Sequence, residues 1–310
     1  ALPISKGGEN LAKLLGLGDN VIDCNYTRRV RYPGGNCVNF AVFGKQIGNE
    51  TAYVGKIAND QWGRMLLKVL QEEGIDCSKC IIEDGETGIC GIHLQDGDRV
   101  IVDENDAGLV KANPLVITED LLNYIKKFDL VHSSCYSYIE EELIKIKNAG
   151  IPVLYDFSDE WTDDKLQSIC KNINIAFFSG KDLDEECLKD YLVKCVDSYG
   201  CYLAITTIGG RGAIVYNGRK FYRKLPYNFA GGVIDTTGAG DSWITGFISS
   251  YIDNMKKMEI LKKNSPDNFL SQSDVEDFED HVIEQSMCLG NLLARRNCLV
   301  EGSFGKGSPF

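Results

Sequence analysis

Between residues 119 and 207 one pattern occurs four times: a segment with helical apolar spacing, a short polar link, then a short apolar run. Helices are predicted over 119–127, 139–148, 164–172 and 184–198, and strands over 130–133, 152–156, 175–178 and 202–207. Strands joined through helices cannot pair as hairpins. They run parallel, and the helices cover both faces of the sheet. The pattern therefore predicts an α/β fold, a three-layer α/β/α sandwich around a mostly parallel sheet.

The flanking segments extend this plan. Residues 14–23, LLGLGDNVID, read as a buried strand that ends in a polar loop, with Asp23 at its end. A helix is expected to start beside Gly34 and Gly35, a strand to run over 51–57, and an amphipathic helix over 60–73, closed by Gly74. Residues 87–95 and 99–103 flank Asp96-Gly97-Asp98, a strong hairpin signal, and 212–226 reads as a second hairpin. A long apolar helix is expected from 241 to about 252, an exposed helix–loop insertion over 256–280, and a closing helix over 282–296. No linker divides the chain. The expectation is one domain over 1–310, with a small β-sheet lid built from about 24–33 and 87–104.

Charge and composition narrow the class. The 310 residues carry a formal net charge of −12, which argues against a nucleic-acid binder but not against a magnesium-complexed nucleotide. No run of apolar residues is long enough to span a membrane, and residues 1–10 lack the basic and apolar regions of a signal peptide. A cytoplasmic setting is expected. The twelve cysteines are scattered through apolar segments and read as free thiols, and the lone Cys77-x-x-Cys80 reads as a surface turn rather than a zinc site.

The strongest chemical signal is DTTGAGDSW, residues 235–243, set between a short apolar run and the long apolar helix. Small residues let the backbone approach a ligand, and the first-turn N–H groups of a helix bind anions. Beside a bound phosphate, Asp241 can take the proton of an attacking hydroxyl. No Walker A loop is present, and no dinucleotide-binding glycine pattern follows a strand.

Together, PGGNCVNF at 33–40, the following YVGKIANDQWGRMLLKVLQEEGID, and IDTTGAGDSW resemble the ribokinase-like (PfkB) carbohydrate kinases in order and spacing. The resemblance spans roughly 14–303 and implies an ATP- and Mg²⁺-dependent kinase for a sugar hydroxyl. It assigns Asp241 as the base and Gly238, Ala239 and Gly240 as the anion hole. Asp23, Gly34, Gly35, Asn36 and Asn39 fall on the sugar side, with Arg99, Arg28 and Asp103 on the lid. Ser179, Thr207, Gly209, Gly212 and Asn291 fall on the nucleotide side. Asp235 and Thr237 match positions that hold a monovalent cation such as K⁺ in some relatives. The family's Asn-x-x-Glu motif is altered here to Ser179-Gly180-Lys181-Asp182, which leaves Asp182 as the carboxylate for magnesium through water.

DFSDEW at 156–161, VHSS at 131–134 and the opening GDNVID resemble the fructoselysine 6-kinase branch, which implies a fructosamine substrate. An acidic pocket around Asp23, Asp156 and Asp159 is expected at the strand ends, with Trp161 beside it. The resemblance also implies a homodimer through the lid. Two alternatives stay open: a kinase for another sugar or riboside (fructose, ribose, 2-keto-3-deoxygluconate), and a catalytically silent sugar-binding sensor.

Overall fold

The computed structural model describes residues 11–95, 98–104, 107–227, 232–266 and 269–310. In chain order the N-terminal elements are β1 (Lys13–Leu17), β2 (Val21–Asn25), β3 (Val30–Gly34), α1 (Asn36–Gln46), β4 (Glu50–Val54), β5 (Lys56–Ala58), α2 (Gln61–Glu72), β6 (Ile81–Glu83), β7 (Ile89–Gln95), β8 (Asp98–Glu104) and α3 (Leu109–Ala112). The repeating region gives α4 (Glu119–Ile125), β9 (Leu130–Ser134), α5 (Leu143–Asn148), β10 (Val153–Asp156), α6 (Asp163–Cys170), β11 (Ile175–Ser179), α7 (Glu185–Val193) and β12 (Leu203–Thr207). The chain closes with β13 (Ala213–Tyr216), β14 (Phe221–Lys224), α8 (Ala239–Lys263), α9 (Gln272–Asn297) and β15 (Ser308–Pro309).

The four predicted helix–strand repeats form as expected, to within a few residues. They build an eight-stranded sheet ordered β14-β13-β12-β11-β10-β9-β1-β4, parallel from β12 to β4 and antiparallel at β13 and β14. Alternate strand residues point to opposite faces. Val153 and Tyr155 enter a core shared with Leu121, Leu143, Leu166 and Leu188 of α4 to α7, while Leu154 enters a second core shared with Phe40 of α1, Trp243 and Phe247 of α8, and Ile283 of α9. The result is the expected three layers.

A smaller sheet, ordered β15-β3-β2-β7-β8, stands beside the large one. Here the reading of Asp23, in the run 14–23, as the end of the first strand is corrected. The run splits at Gly18, whose φ of +127° turns the chain out of the large sheet, so Asp23 lies within β2 and not at the end of the first strand. A Cβ at Gly18 would also collide with Ser137. The predicted strand over 51–57 divides in the same way, into β4 and β5.

The region read as an exposed insertion is corrected too. Helix α8 runs on to Lys263 and α9 begins at Gln272, so most of 256–280 is helix. Met258 and Glu279 are buried, and Lys256 forms a buried ion pair with Asp129 at 2.9 Å. No helix among the described residues is long and apolar enough to cross a membrane.

Candidate active site

The parallel strands end on one side of the large sheet, and α8 starts there. Gly238 precedes its first turn with φ of +77°, a conformation that strains any residue with a Cβ. No side chain caps this helix. A Cβ at Gly240 would meet nothing within 4 Å, whereas one at Gly238 would lie 2.9 Å from the Ser303 Cβ. The turn is thus packed from behind at Gly238 and open in front at Gly240, as a phosphate-accepting helix terminus requires. The hydroxyls of Thr237 and Ser303 are buried without partners.

Asp241, nearly buried in the first turn of α8, accepts a hydrogen bond from Asn39 Nδ2 at 2.7 Å. Asn39 comes from α1, packed against α8. Its Oδ1 is buried and unpartnered, which leaves an acceptor for a ligand hydroxyl. Gly34 holds Asp23 and Asn39 to one spot: a Cβ there would sit 2.7 Å from Asp23 Oδ2 and 3.9 Å from Asn39 Oδ1. Gly35, with φ of +108°, opens α1 over the Asp19 carboxylate. Of the predicted sugar-side residues, Asn39 thus reaches Asp241 across about 200 residues of sequence, and Gly34 lies beside both Asp23 and Asn39.

Asn36 also joins this group, donating to Asp156 Oδ2 at 3.1 Å, while the Ser158 N–H donates to Oδ1 at 2.7 Å. Burial first, and the neighbouring Asp241 charge second, push the Asp156 carboxyl well above the usual carboxylate range. The expected acidic pocket needs one correction. Asp159 is exposed and bound by the Ser158 hydroxyl, and its place is taken by Asp19. Asp19 Oδ1 accepts from the Ser134 and Ser137 hydroxyls and the Cys37 N–H, at 2.8, 3.2 and 3.2 Å. The GDN string contained this residue, but it read only as a turn. Trp161 does not face the sugar side: its ring packs on Phe178 and Tyr191, and its Nε1 donates to the Ser179 carbonyl. His132, stacked on Phe40, is held neutral by burial, with its pKa lowered to about 3.

Of the residues expected on the nucleotide side, Ser179 and Thr207 are register partners at the ends of β11 and β12. Gly209 and Gly212 frame the short turn after β12, and both have positive φ. Arg211 pins the adjoining loop through the carbonyls of Lys181 and Leu183, at 2.9 and 2.8 Å. Asp182 on that loop is exposed. Asn291 is buried, and both ends of its amide are committed. It accepts from Trp243 Nε1 at 2.8 Å and donates to the Leu225 carbonyl at 2.7 Å. It ties α9 to α8 and to the chain after β14. Along α9 near it an open cleft of about 330 Å³ is lined by Tyr227, Gln285, Cys288, Leu289 and Leu292.

One lid residue differs from expectation. Arg28 is bound to Asp235 at 2.7 Å. The Arg99 side chain, like Asp96 and Gly97 at the hairpin turn, lies outside the described residues. Among the described residues no group of three or more His, Cys, Asp or Glu could by itself hold a metal ion.

Comparisons with known proteins give the family. The pfkB carbohydrate kinase family model matches residues 18–263. The chain is 38% identical over 300 residues to fructosamine kinase FrlD of Bacillus subtilis, covering 96% of this chain and 95% of that one. It is 30% identical to fructoselysine 6-kinase of Escherichia coli, over 77% of this chain and 89% of that one. In fold it is similar to ribokinase from Giardia lamblia, with a TM-score of 0.76, 18% identity and 96% of both chains covered. The chain belongs to the pfkB family of carbohydrate kinases.

Proposed function

We propose that this kinase transfers the γ-phosphoryl group of ATP to the 6-hydroxyl of a fructosamine, a sugar joined to an amino-acid amine. The observation that carries the reading is the Asp241–Asn39 pair, set beside Asp23 at the open N-terminus of α8. A hydroxyl seated against Asp23 and the free Asn39 Oδ1 lies within reach of the Asp241 carboxylate. Asp241 takes its proton as the oxygen attacks phosphorus, and the N–H groups around Gly238, Ala239 and Gly240 stabilise the charge that develops. The surroundings favour an amine-bearing sugar over a neutral one. Asp19, Asp23 and Asp241 are buried around the start of α1, an acidic setting that attracts an ammonium group. The names of the two curated relatives point the same way.

Ser179, Thr207, Gly209 and Gly212 are the residues proposed to hold the triphosphate. The cleft at Tyr227 and Cys288, braced by Asn291, is proposed to take the base. Bound Mg²⁺ neutralises phosphate charge. Asp182 would reach it through water. The β7–β8 hairpin is proposed to act as a lid that excludes water. Val100, Ile101 and Val102 are exposed on β8, an edge strand, which suits pairing with a second copy of the chain.

The test is ADP release with Mg·ATP across fructose, ribose, 2-keto-3-deoxygluconate, ribosides, fructoselysine and related fructosamines. Selective turnover of a fructosamine is the expected result. Preference for a neutral sugar refutes the substrate assignment. No turnover of any of them, with thermal stabilisation by one, makes the chain a sensor.

A further inference from the structure

Asp235 is fully buried, and a buried carboxylate persists only where a countercharge and hydrogen bonds compensate it. Its Oδ1 accepts the Thr237 N–H at 2.9 Å, and its Oδ2 accepts the Gly302 N–H at 3.0 Å. The countercharge comes from 207 residues away. Arg28, in the turn between β2 and β3, places Nη1 2.7 Å from Asp235 Oδ2 and donates from Nη2 to the Ile234 carbonyl at 2.9 Å. Glu301 lies 3.6 Å from its Nε. One planar guanidinium thus covers a carboxylate and an adjacent main-chain oxygen, the kind of oxygen set a small bare cation would take.

The resemblance to relatives that hold a monovalent cation at Asp235 and Thr237 does not fit this arrangement. The charge of Asp235 is already matched, and a second cation beside the guanidinium would be repelled. We infer that Arg28 is a built-in counter-ion that replaces an exchangeable monovalent cation. Through it the β2–β3 turn of the small sheet holds the 235–240 loop that opens α8. Arg28 is a positioning residue: it acts through Asp235 and Thr237 on the glycines at the helix terminus. The kinetic part of this inference rests on the kinase reading.

The experiment compares kcat, sugar KM and substrate-free Tm in potassium, sodium and tetramethylammonium chloride at equal ionic strength. Wild type is expected to give the same kcat within about twofold and the same Tm in all three, because no cation binds selectively to the native state. Arg28→Ala is expected to lose on the order of tenfold in kcat with little change in KM. Potassium, but not tetramethylammonium, should then raise both its kcat and its Tm. Arg28→Lys, which keeps the charge, should be milder and insensitive to the salt. A wild-type kcat or Tm that rises selectively with potassium overturns the inference, and would point to the unpartnered hydroxyls of Thr237 and Ser303 as ligands instead. An Arg28→Ala variant that keeps wild-type kcat without potassium, or loses equally in all three salts, also overturns it. If that variant does not fold, the wild-type salt series decides alone. The Tm comparison needs no substrate, so a chain that phosphorylates none of the sugars still answers it.

Discussion

Replacing Asp241 with asparagine removes a proton acceptor while leaving the shape of the side chain almost unchanged. Asn39 Nδ2 donates to one Asp241 oxygen at 2.7 Å, and the new amide's carbonyl oxygen can keep that bond. The exchange of a charge-assisted bond for a neutral one costs about 1 kcal/mol. Against this, removing the Asp241 charge relieves Asp156, whose carboxyl that charge helps to push up. The two effects oppose each other, so Tm should stay within about 3 °C of wild type. Chemistry has no such offset. A positioned general base contributes roughly 10²- to 10⁴-fold, equivalent to about 2.7–5.4 kcal/mol of barrier. Coupled ADP-release kinetics on Asp241→Asn should therefore show kcat falling by at least about a hundredfold, with the sugar KM nearly unchanged. The partners proposed to seat the hydroxyl, Asp23 and Asn39, are untouched. A kcat within about threefold of wild type, at a normal Tm, would remove Asp241 from the reaction. A loss of activity matched by a collapse in Tm would show instead that its role is to hold α1 against α8.

Three further perturbations separate structure from chemistry. Gly238→Ala forces a Cβ into a left-handed conformation and against Ser303, so it should cost roughly 1–2 kcal/mol or more in stability along with turnover. Gly240→Ala, facing open space, should keep its Tm yet lose kcat, and equal stability losses in the two variants would refute the assignment of front and back. Asp156 has a raised native pKa, so the native state keeps a proton that the unfolded chain has released. Its contribution is fully present below the unfolded carboxylate pKa and is lost as pH rises through the native one. Asp156→Asn removes that titration. Its Tm relative to wild type should climb as pH rises above the usual carboxylate range, and a flat difference would contradict the raised pKa. Lys256→Met strands the buried Asp129 carboxylate and should destabilise by about 3–5 kcal/mol in urea unfolding; an unchanged midpoint would place that lysine in solvent.

The layers and the glycine-rich start of α8 were legible in the chain because their signals are local. Helix and strand periods decide the four repeats between 119 and 207, and the nine residues 235–243 carry the glycines and the carboxylate together. Where one apolar run had to be shared between two sheets, at Gly18 and Gly55, the alternation reads the same in either sheet, and only the packing partner on each face decides. Lys256 read as solvated because a lysine usually is. It is buried because Asp129 waits for it across 127 residues. The same holds for the site. The sequence determined by itself which residue types were available, including Asp241 and the PGGN turn. Tertiary structure alone decided that Asn39 binds Asp241, that Asp19 rather than Asp159 joins the acidic pocket, and that Arg28 neutralises Asp235. A buried charge is stable only beside its partner, and no local pattern records which of 33 lysines and arginines the fold will bring to it.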